Sequence, residues 1–265
     1  PDRLTVSQPP RTAKTSLITL SFPFWLIYMN PYFNILIVNY SQTLADDFGL
    51  LLRQLFIDNA DLLASRDIYL SDKEHSKSKF RFVNGKEELL GSIKLVGVGG
   101  AITGRDVDIC IIDDYIKGFD DCTPSLLDKL YFWFKGVLLQ RLEPETKLFI
   151  LATRWHSNDL IGRLKEDEPD KYRFVEIPAI NDDGSCIWSN RYKPEFFEER
   201  RREIGERLFE SLYQQKPLDE TGDFFNLNNL IFTDEFNDQS LIVDMVRSYD
   251  CAFSSDDPKK NSDYT

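Results

Sequence analysis

Short apolar runs rich in β-branched residues alternate along this chain with longer segments of helical periodicity. Helices are predicted from about residue 14, from Ser41 to 57, and at 124–139, 158–166 and 194–214, the last broken near Gly205. Strands are predicted at 4–6, 34–39, 80–83, 93–96, 107–113, 147–152 and 174–177. This alternation predicts an α/β fold with a mainly parallel sheet flanked by helices.

Three short sequence signals indicate where helices begin or end and where the chain turns. Ser41 is a good N-cap for the helix that follows it. Pro23 predicts a kink or an end in the first helix, because proline lacks the backbone N–H group. Asn84-Gly85 predicts a turn between two strands. Residues 58–79 are polar and poorly patterned, so no regular element is predicted there.

The charge, the cysteine and histidine content and the apolar stretches of the chain each argue against particular functional classes. A formal net charge of -12 and a pI near 4.7 speak against a protein that coats nucleic acid with a basic surface, although a motor that grips DNA locally can be acidic. Four cysteines without a CxxC pair and two histidines speak against a zinc site and fit a reducing cytoplasm. The longest apolar stretch, residues 17–29, is too short to span a bilayer, so no membrane partner is predicted.

The segment SQPPRTAKT at residues 7–15, called the phosphate loop below, lies between a predicted strand and a predicted helix. Backbone N–H groups at such a helix N-terminus can hold the phosphates of ATP. Lys14 is predicted to reach the β- and γ-phosphates, and Thr15 to ligate Mg²⁺. Gln8 and Ala13 replace the two glycines of the strict GxxxxGK[ST] pattern, so a loop before a solvated helix is the alternative. The predicted nucleotide-binding residues are Pro10, Arg11, Thr12, Ala13, Lys14, Thr15 and Ser16.

Two carboxylates, Asp113 and Asp114, end the apolar run ICII. The carboxyl edge of a parallel sheet is where ligands bind, and packing alone does not require paired acids there. Asp113 is predicted to hold Mg²⁺ through water, and Asp114 to act as the general base on the attacking water. A strand that leads into an acidic loop is the alternative. Asp114 lies 100 positions after Lys14, with a strand between them, as in the additional-strand class of phosphate-loop ATPases.

Seven strings in the chain resemble the large terminase subunits of bacteriophages, in the family's order and across nearly the whole length. They are PPRTAKTSL (9–17), NYSQTLADDF (39–48), GVGGAITGRDVDICIIDD (97–114), LQRLEPETKLFILATRWHSNDLIGRL (139–164), EIPAI (176–180), LFESLYQQKP (208–217) and SYDCAFS (248–254). The resemblance implies an ATP- and Mg²⁺-dependent motor that translocates double-stranded viral DNA into a procapsid, with an endonuclease that cuts concatemeric DNA.

The same resemblance implies a domain organisation and a set of partners. A phosphate-loop ATPase domain would occupy 1–178, a linker or lid subdomain 179–242, and the start of a ribonuclease-H-like nuclease domain 243–265, with both chain ends truncated. The partners would be double-stranded DNA, the portal protein, the small terminase subunit and further copies of the chain in a ring on the procapsid. The setting would be the cytoplasm of a bacterial host.

Individual roles follow from the matched positions. Arg11 would contact the γ-phosphate in cis, or else is a surface arginine. Arg105 would reach the ATP of a neighbouring subunit as a finger, or else pairs with a nearby aspartate; Arg141 is a weaker candidate for the same role. Thr153, in the string TRWH, would hydrogen-bond the attacking water or a phosphate oxygen. His156 in that string is expected to be a loop histidine with satisfied hydrogen bonds.

The C-terminal string would begin the nuclease domain. Asp250 would be the first ligand of its divalent metal, Mg²⁺ or Mn²⁺, and Asp263 either a further ligand or a tail residue. Two-metal cleavage needs at least three clustered carboxylates, so these residues alone are not expected to cut DNA. Two alternatives to the motor stay open: another DNA-dependent ATPase such as a helicase, and a decayed prophage protein without turnover.

Overall fold

One eight-stranded sheet organises the computed structural model, which describes residues 3–102 and 107–217. Its order is β3-β4-β5-β2-β6-β7-β1-β8, and from β5 to β8 every neighbouring pair is parallel. Only β4 is antiparallel to its neighbours, so the expected mainly parallel α/β sheet is confirmed. The strands are β1 (Arg3–Ser7), β2 (Asn34–Asn39), β3 (Tyr69–His75), β4 (Lys79–Val83), β5 (Leu89–Gly97), β6 (Ile109–Asp113), β7 (Lys147–Ala152) and β8 (Arg173–Glu176).

The strand order places the two predicted motifs near each other. Strand β7 lies between β1, which leads into the phosphate loop, and β6, which ends at Asp113. The three strands are parallel, so their carboxyl ends meet at one edge of the sheet. All five residues of β6 are buried, which explains why this strand reads as a continuous apolar run.

Helices cover the sheet. They are α1 (Phe22–Met29), α2 (Gln42–Asp58), α3 (Ala60–Ala64), α4 (Pro124–Trp133), α5 (Leu160–Asp167), α6 (Pro194–Ile204) and α7 (Glu206–Leu212). A π-helical segment, Ser16–Ser21, leads into α1, and a second one, Phe134–Leu138, continues α4. The Ser41 hydroxyl accepts a hydrogen bond from the Leu44 backbone N–H group, so the predicted cap of α2 is confirmed.

Alternate residues of the central strands pack into two apolar cores. On β6, Cys110 and Ile112 belong to one core, and Ile109 and Ile111 belong to the other. This period of two is what a strand buried on both faces requires. Burying these side chains supplies about 1.5–3 kcal/mol each relative to leaving them exposed, and so fixes the strand ends that carry the acids.

A third, smaller core lies in the segment 179–213. It consists of the buried side chains of Ala179, Cys186, Phe197 and Phe209, with Tyr192 and other partly buried residues packed against them. Helices α6 and α7 meet at Gly205, whose φ of +82° suits glycine, so the predicted break is confirmed. We call residues 179–213 the small subdomain; residues 218–242 of the predicted linker lie outside the described residues.

The structure differs from the sequence prediction in two places. Residues 58–79, predicted to be irregular, contain α3 and the edge strand β3, whose polar composition hides its strand periodicity. Pro23 does not end the first helix: it stands at the start of α1, directly after the π-helical segment, and the helix continues to Met29. A widened turn before proline accommodates the missing N–H group.

Among the described residues, no helix has the length and apolar character needed to cross a membrane.

Candidate functional site

The phosphate loop leaves the end of β1 and turns sharply before the helix begins. Arg11 and Ala13 both have positive φ, +60° and +64°. The Ala13 carbonyl accepts a hydrogen bond from the Leu17 N–H group at 2.9 Å, which closes the first helical turn. Ala13 therefore adopts the left-handed conformation that favours glycine, at the position where the strict pattern has glycine.

Side chains brace the loop from within. The Gln8 amide donates to the Thr12 carbonyl at 3.1 Å and to the Thr12 hydroxyl at 2.8 Å. That hydroxyl in turn donates to the Pro9 carbonyl at 2.6 Å. Gln8, which the sequence shows only as a departure from glycine, is thus a structural brace, and the Thr12 hydroxyl is used inside the loop.

Lys14, Asp114 and Thr153 converge at the carboxyl edge of the sheet. The Lys14 ammonium group lies 2.5 Å from Asp114 Oδ1 and donates to the Thr153 hydroxyl at 3.0 Å. Thr153 follows β7 and donates to the Gln8 carbonyl at 3.2 Å, which ties this edge to the phosphate loop. Lys14 is 6% exposed, so its charge lies in a largely desolvated position.

Asp113 is fully buried beside this triad. Its Oδ2 accepts a hydrogen bond from the Thr19 hydroxyl at 2.5 Å, and the Asn39 amide donates to its backbone carbonyl at 3.1 Å. Burial, and then the neighbouring charge of Asp114, raise the pKa of Asp113 to about 6, although Thr19 and Lys14 pull it down. Asp113 Oδ1 is buried without a hydrogen-bond partner.

The buried Oδ1 atom of Asp113 supplies a test of the predicted Mg²⁺ site. A buried carboxylate oxygen needs a donor, an ordered water or a cation, so the Asp113 side chain fits a hydrated divalent cation. The nearby Thr15 also lowers the pKa of Asp113, which places its side chain beside that carboxylate. No cluster of three or more His, Cys, Asp or Glu is found in ranges 3–102 and 107–217. Mg²⁺ at phosphoryl-transfer sites takes only one or two carboxylates and completes its shell with water and phosphate.

A cavity of about 490 Å³ opens in front of these residues. It is lined by the phosphate-loop residues Pro10, Arg11, Ala13, Lys14 and Thr15, by Ser16, and by Asp114 and Thr153. Further lining residues are Tyr40, Leu44, Ile116, Lys117, Trp155 and Arg191. Its size falls within the range of small-molecule sites, and its lining combines cations, hydroxyls and the carboxylate of Asp114.

Arg154 connects this edge to the small subdomain. Its Nε atom donates to both carboxylate oxygens of Asp159, at 3.0 and 2.8 Å, and both side chains are buried. Its backbone carbonyl accepts from the Ser211 hydroxyl at 2.9 Å, and its N–H group donates to the Gln215 side chain at 3.2 Å. The residue after Thr153 is therefore held from three directions.

The other residues predicted for the site lie at the cavity, away from it, or outside the described residues. Arg11 is exposed at the cavity, and its carbonyl accepts a hydrogen bond from the Tyr192 hydroxyl at 2.9 Å. His156 Nδ1 accepts from the Asn158 N–H group at 3.0 Å, as a satisfied loop histidine does. Arg141 is exposed in the 3-10 turn Leu139–Arg141 and is not a lining residue of the cavity. Arg105, Asp250 and Asp263 lie outside the described residues.

Sequence reasoning missed several residues of the site. Thr19 had a detectable signal, because it lies four positions after Thr15 and so on the same side of the helix. Tyr192 and Arg191 had none, since they lie in an irregular segment that only tertiary contacts bring to the phosphate loop.

Comparisons with known proteins agree with this architecture. The chain is 34% identical over 170 residues to the large terminase subunit of Enterobacteria phage T3, an alignment that covers 62% of this chain and 28% of that protein. The ATPase domain of the Thermus phage P74-26 large terminase has the same fold, with a TM-score of 0.55 at 12% identity. A mutant of that domain gives 0.56 at 13% identity, and each alignment covers 82% of this chain and 89% of the domain. No protein-family model matches.

Proposed function

We propose that this chain, which is 34% identical over 170 residues to the large terminase subunit of Enterobacteria phage T3, belongs to the large terminase subunits and hydrolyses ATP to drive double-stranded viral DNA into a procapsid. The observation that supports this most directly is that Lys14 and Asp114 pair at one cavity, with Asp113 buried beside them. The chain spans 28% of the length of its phage T3 relative, so the activity and partners of the whole protein are part of the proposal.

ATP would bind with its phosphates against the phosphate loop. Backbone N–H groups at the start of the helix would face the phosphate oxygens, which the helix dipole also favours. Lys14, which pairs with Asp114, is a buried cation that lines the cavity, and it would bind the β- and γ-phosphates. Arg11, an exposed residue of the phosphate loop, would contact the γ-phosphate in cis.

Hydrolysis would use Asp114 as the general base. Its carboxylate would accept a proton from a water molecule as the water oxygen attacks the γ-phosphorus, and the bond to the β–γ bridging oxygen would break to release ADP. The Thr153 hydroxyl, which accepts a hydrogen bond from Lys14, would orient that water or a phosphate oxygen. Asp113 and Thr15 would hold Mg²⁺, which supplies charge neutralisation of the phosphates.

Motor action would need several copies of the chain on one procapsid. Arg105 would reach the ATP of a neighbouring copy, where an arginine stabilises transition-state charge. Double-stranded DNA, the portal protein and the small terminase subunit would be the partners, in the cytoplasm of a bacterial host. The endonuclease, with Asp250 and Asp263 as candidate ligands of Mg²⁺ or Mn²⁺, rests on sequence resemblance alone.

Replacement of Lys14 tests the site. Lys14→Ala should lower ATP-dependent phosphate release at least about a hundredfold, because a charge aimed at the transferred phosphate is lost. Lys86→Ala, which removes the same charge from an exposed turn, is the matched control and should leave turnover unchanged. Turnover by Lys14→Ala at the level of that control would remove Lys14 from the site.

A protein that keeps the fold without turnover is the second candidate. It is favoured by the left-handed Ala13, where an L-residue is strained, and by the short side chain of Asp114. Phosphate release from full-length protein with Mg²⁺ and DNA separates the two candidates. If the unaltered protein shows no turnover and Ala13→Gly restores it, the decayed protein is supported. Separation of the strands of a forked duplex, measured on its own, would indicate a helicase instead.

A further inference from the structure

Arg191 reaches the nucleotide cavity from a different part of the chain than the phosphate loop does. It belongs to the small subdomain, whose core forms around Phe197 and Phe209, and precedes α6. Its exposed side chain nevertheless lines the same cavity as Lys14 and Thr15. The small subdomain therefore contributes a cation to a site that the sheet edge otherwise builds.

The charges around the cavity are unbalanced. Arg11, Lys14, Lys117 and Arg191 line it, and Asp114 is the one acid among its lining residues. Asp114 already pairs with Lys14, and no ion pair among the described residues involves the other three cations. Three cations around one cavity that have no ion-pair partner among residues 3–102 and 107–217, in a chain of net charge -12, match a ligand with several negative charges.

Aromatic contacts hold Arg191 in place. Its guanidinium carbon lies 4.9 Å from the centre of the Trp188 ring and 5.4 Å from that of the Tyr192 ring. Tyr192 packs on Phe196 in the small subdomain, and its hydroxyl donates to the Arg11 carbonyl of the phosphate loop. Such ring contacts use none of the guanidinium N–H groups as hydrogen-bond donors to oxygen, so these groups stay available for a planar, two-point contact with phosphate.

We propose that Arg191 binds a phosphate group of the bound ATP, so that the nucleotide bridges the phosphate loop and the small subdomain. The inference rests on the proposed function and adds a contact to it. The hydrogen bond of Tyr192 already joins the small subdomain to the phosphate loop, and the nucleotide would add a second connection through Arg191.

Equilibrium binding of Mg²⁺-ATP to the chain tests this contact. Arg191→Ala should weaken binding about tenfold to a hundredfold, the effect of losing one charge-assisted hydrogen-bonded pair. Arg191→Lys should recover part of that loss, because it keeps the charge but not the two-point geometry. Arg202→Ala removes the same charge from an exposed position of α6 outside the cavity, and should bind ATP as the unaltered chain does.

Hydrogen exchange separates a phosphate contact from a structural role. ATP should slow amide exchange across residues 188–204 in the unaltered chain and in Arg202→Ala, but not in Arg191→Ala. Without nucleotide, Arg191→Ala should unfold at a temperature only slightly below that of the unaltered chain, because it loses exposed cation–π contacts. A large drop in unfolding temperature, with faster amide exchange across residues 188–204, would overturn the proposal in favour of a purely structural arginine.

The outcomes distinguish this inference from the proposed function. ATP binding that depends on Lys14 but is equal in Arg191→Ala and Arg202→Ala would overturn the role of Arg191 and leave the ATP site standing. Failure of the unaltered chain to bind ATP would overturn both.

Discussion

The ammonium group of Lys14 and the carboxylate of Asp114 lie 2.5 Å apart, although 100 positions separate them in the chain. The group proposed to hold the phosphates of ATP is thus paired with the group proposed to activate water. Phosphate oxygens and Asp114 would compete for the same ammonium group. Each substitution at this pair should therefore affect binding and hydrolysis in different ways.

Asp114→Asn should separate the two effects. ATP turnover should fall at least about a hundredfold, because an amide cannot act as a general base. Binding of ATP should be retained or become tighter, since Lys14 no longer has a competing carboxylate. Phosphate release and equilibrium binding measure the two quantities, and Asp120→Asn, an exposed acid nearby, is the control. Equal loss of binding and turnover would contradict this division of roles.

Ala13→Gly should stabilise the chain. Left-handed backbone costs an L-residue about 1–2 kcal/mol, and the greater freedom of glycine in the unfolded chain offsets about 0.4–1 kcal/mol of the relief. A net gain of about 0.5–1 kcal/mol is expected in urea unfolding. Ala60→Gly, at the start of α3 with ordinary φ, should instead lose stability. Similar losses in both variants would show that Ala13 is not strained.

Asp113→Asn should change how stability depends on pH. The pKa of Asp113 is raised from 3.8 to about 6, so between these values the folded chain holds the proton more tightly than the unfolded chain does. Stability due to this group is complete below about pH 4 and is lost as pH rises through about 6. As pH rises over that window, the free energy of unfolding of Asp113→Asn should therefore increase relative to that of the unaltered chain, by on the order of 3 kcal/mol.

Urea unfolding at a series of pH values measures this difference. Asp183→Asn provides a contrast of opposite sign, because hydrogen bonds from Ser185 lower the pKa of Asp183. That variant should lose stability relative to the unaltered chain as pH rises through the acid range. A stability difference for Asp113→Asn that stays constant with pH would show that Asp113 is not titrating near pH 6.

Arg154→Ala should be the most destabilising of these changes. It leaves the fully buried Asp159 carboxylate without its counter-charge, for which about 3–5 kcal/mol is expected. Arg163→Ala breaks a pair with Asp128 that is far more exposed, and should cost at most about 1 kcal/mol. Urea unfolding compares the two variants. Equal losses in the free energy of unfolding would show that burial does not make the Arg154–Asp159 pair more important for stability than the exposed pair.

Local patterns were sufficient to predict most of the fold. Apolar runs identified β2, β6 and β7, because strands buried on both faces leave no polar positions. Ser41 and Gly205 marked helix ends through backbone requirements that act within a few residues. Strand β3 escaped prediction because it is an edge strand with polar side chains, and only pairing with β4 makes it a strand.

The site was predictable where chain direction alone determines position. Lys14, Asp113 and Thr153 all follow parallel strands, so their convergence could be expected from the sequence. Arg191 and Tyr192 could not be placed in this way. Their positions depend on how the small subdomain packs, which no local pattern records.

The hydrogen bonds of Arg154 connect the sheet edge to the segment that contains α7. Its peptide N–H and carbonyl groups are both anchored to the segment that contains α7, through Gln215 and Ser211, and its side chain is clamped by Asp159. If Thr153 shifts during ATP hydrolysis, as the proposed function would require, these hydrogen bonds would carry the shift from the sheet edge to α7.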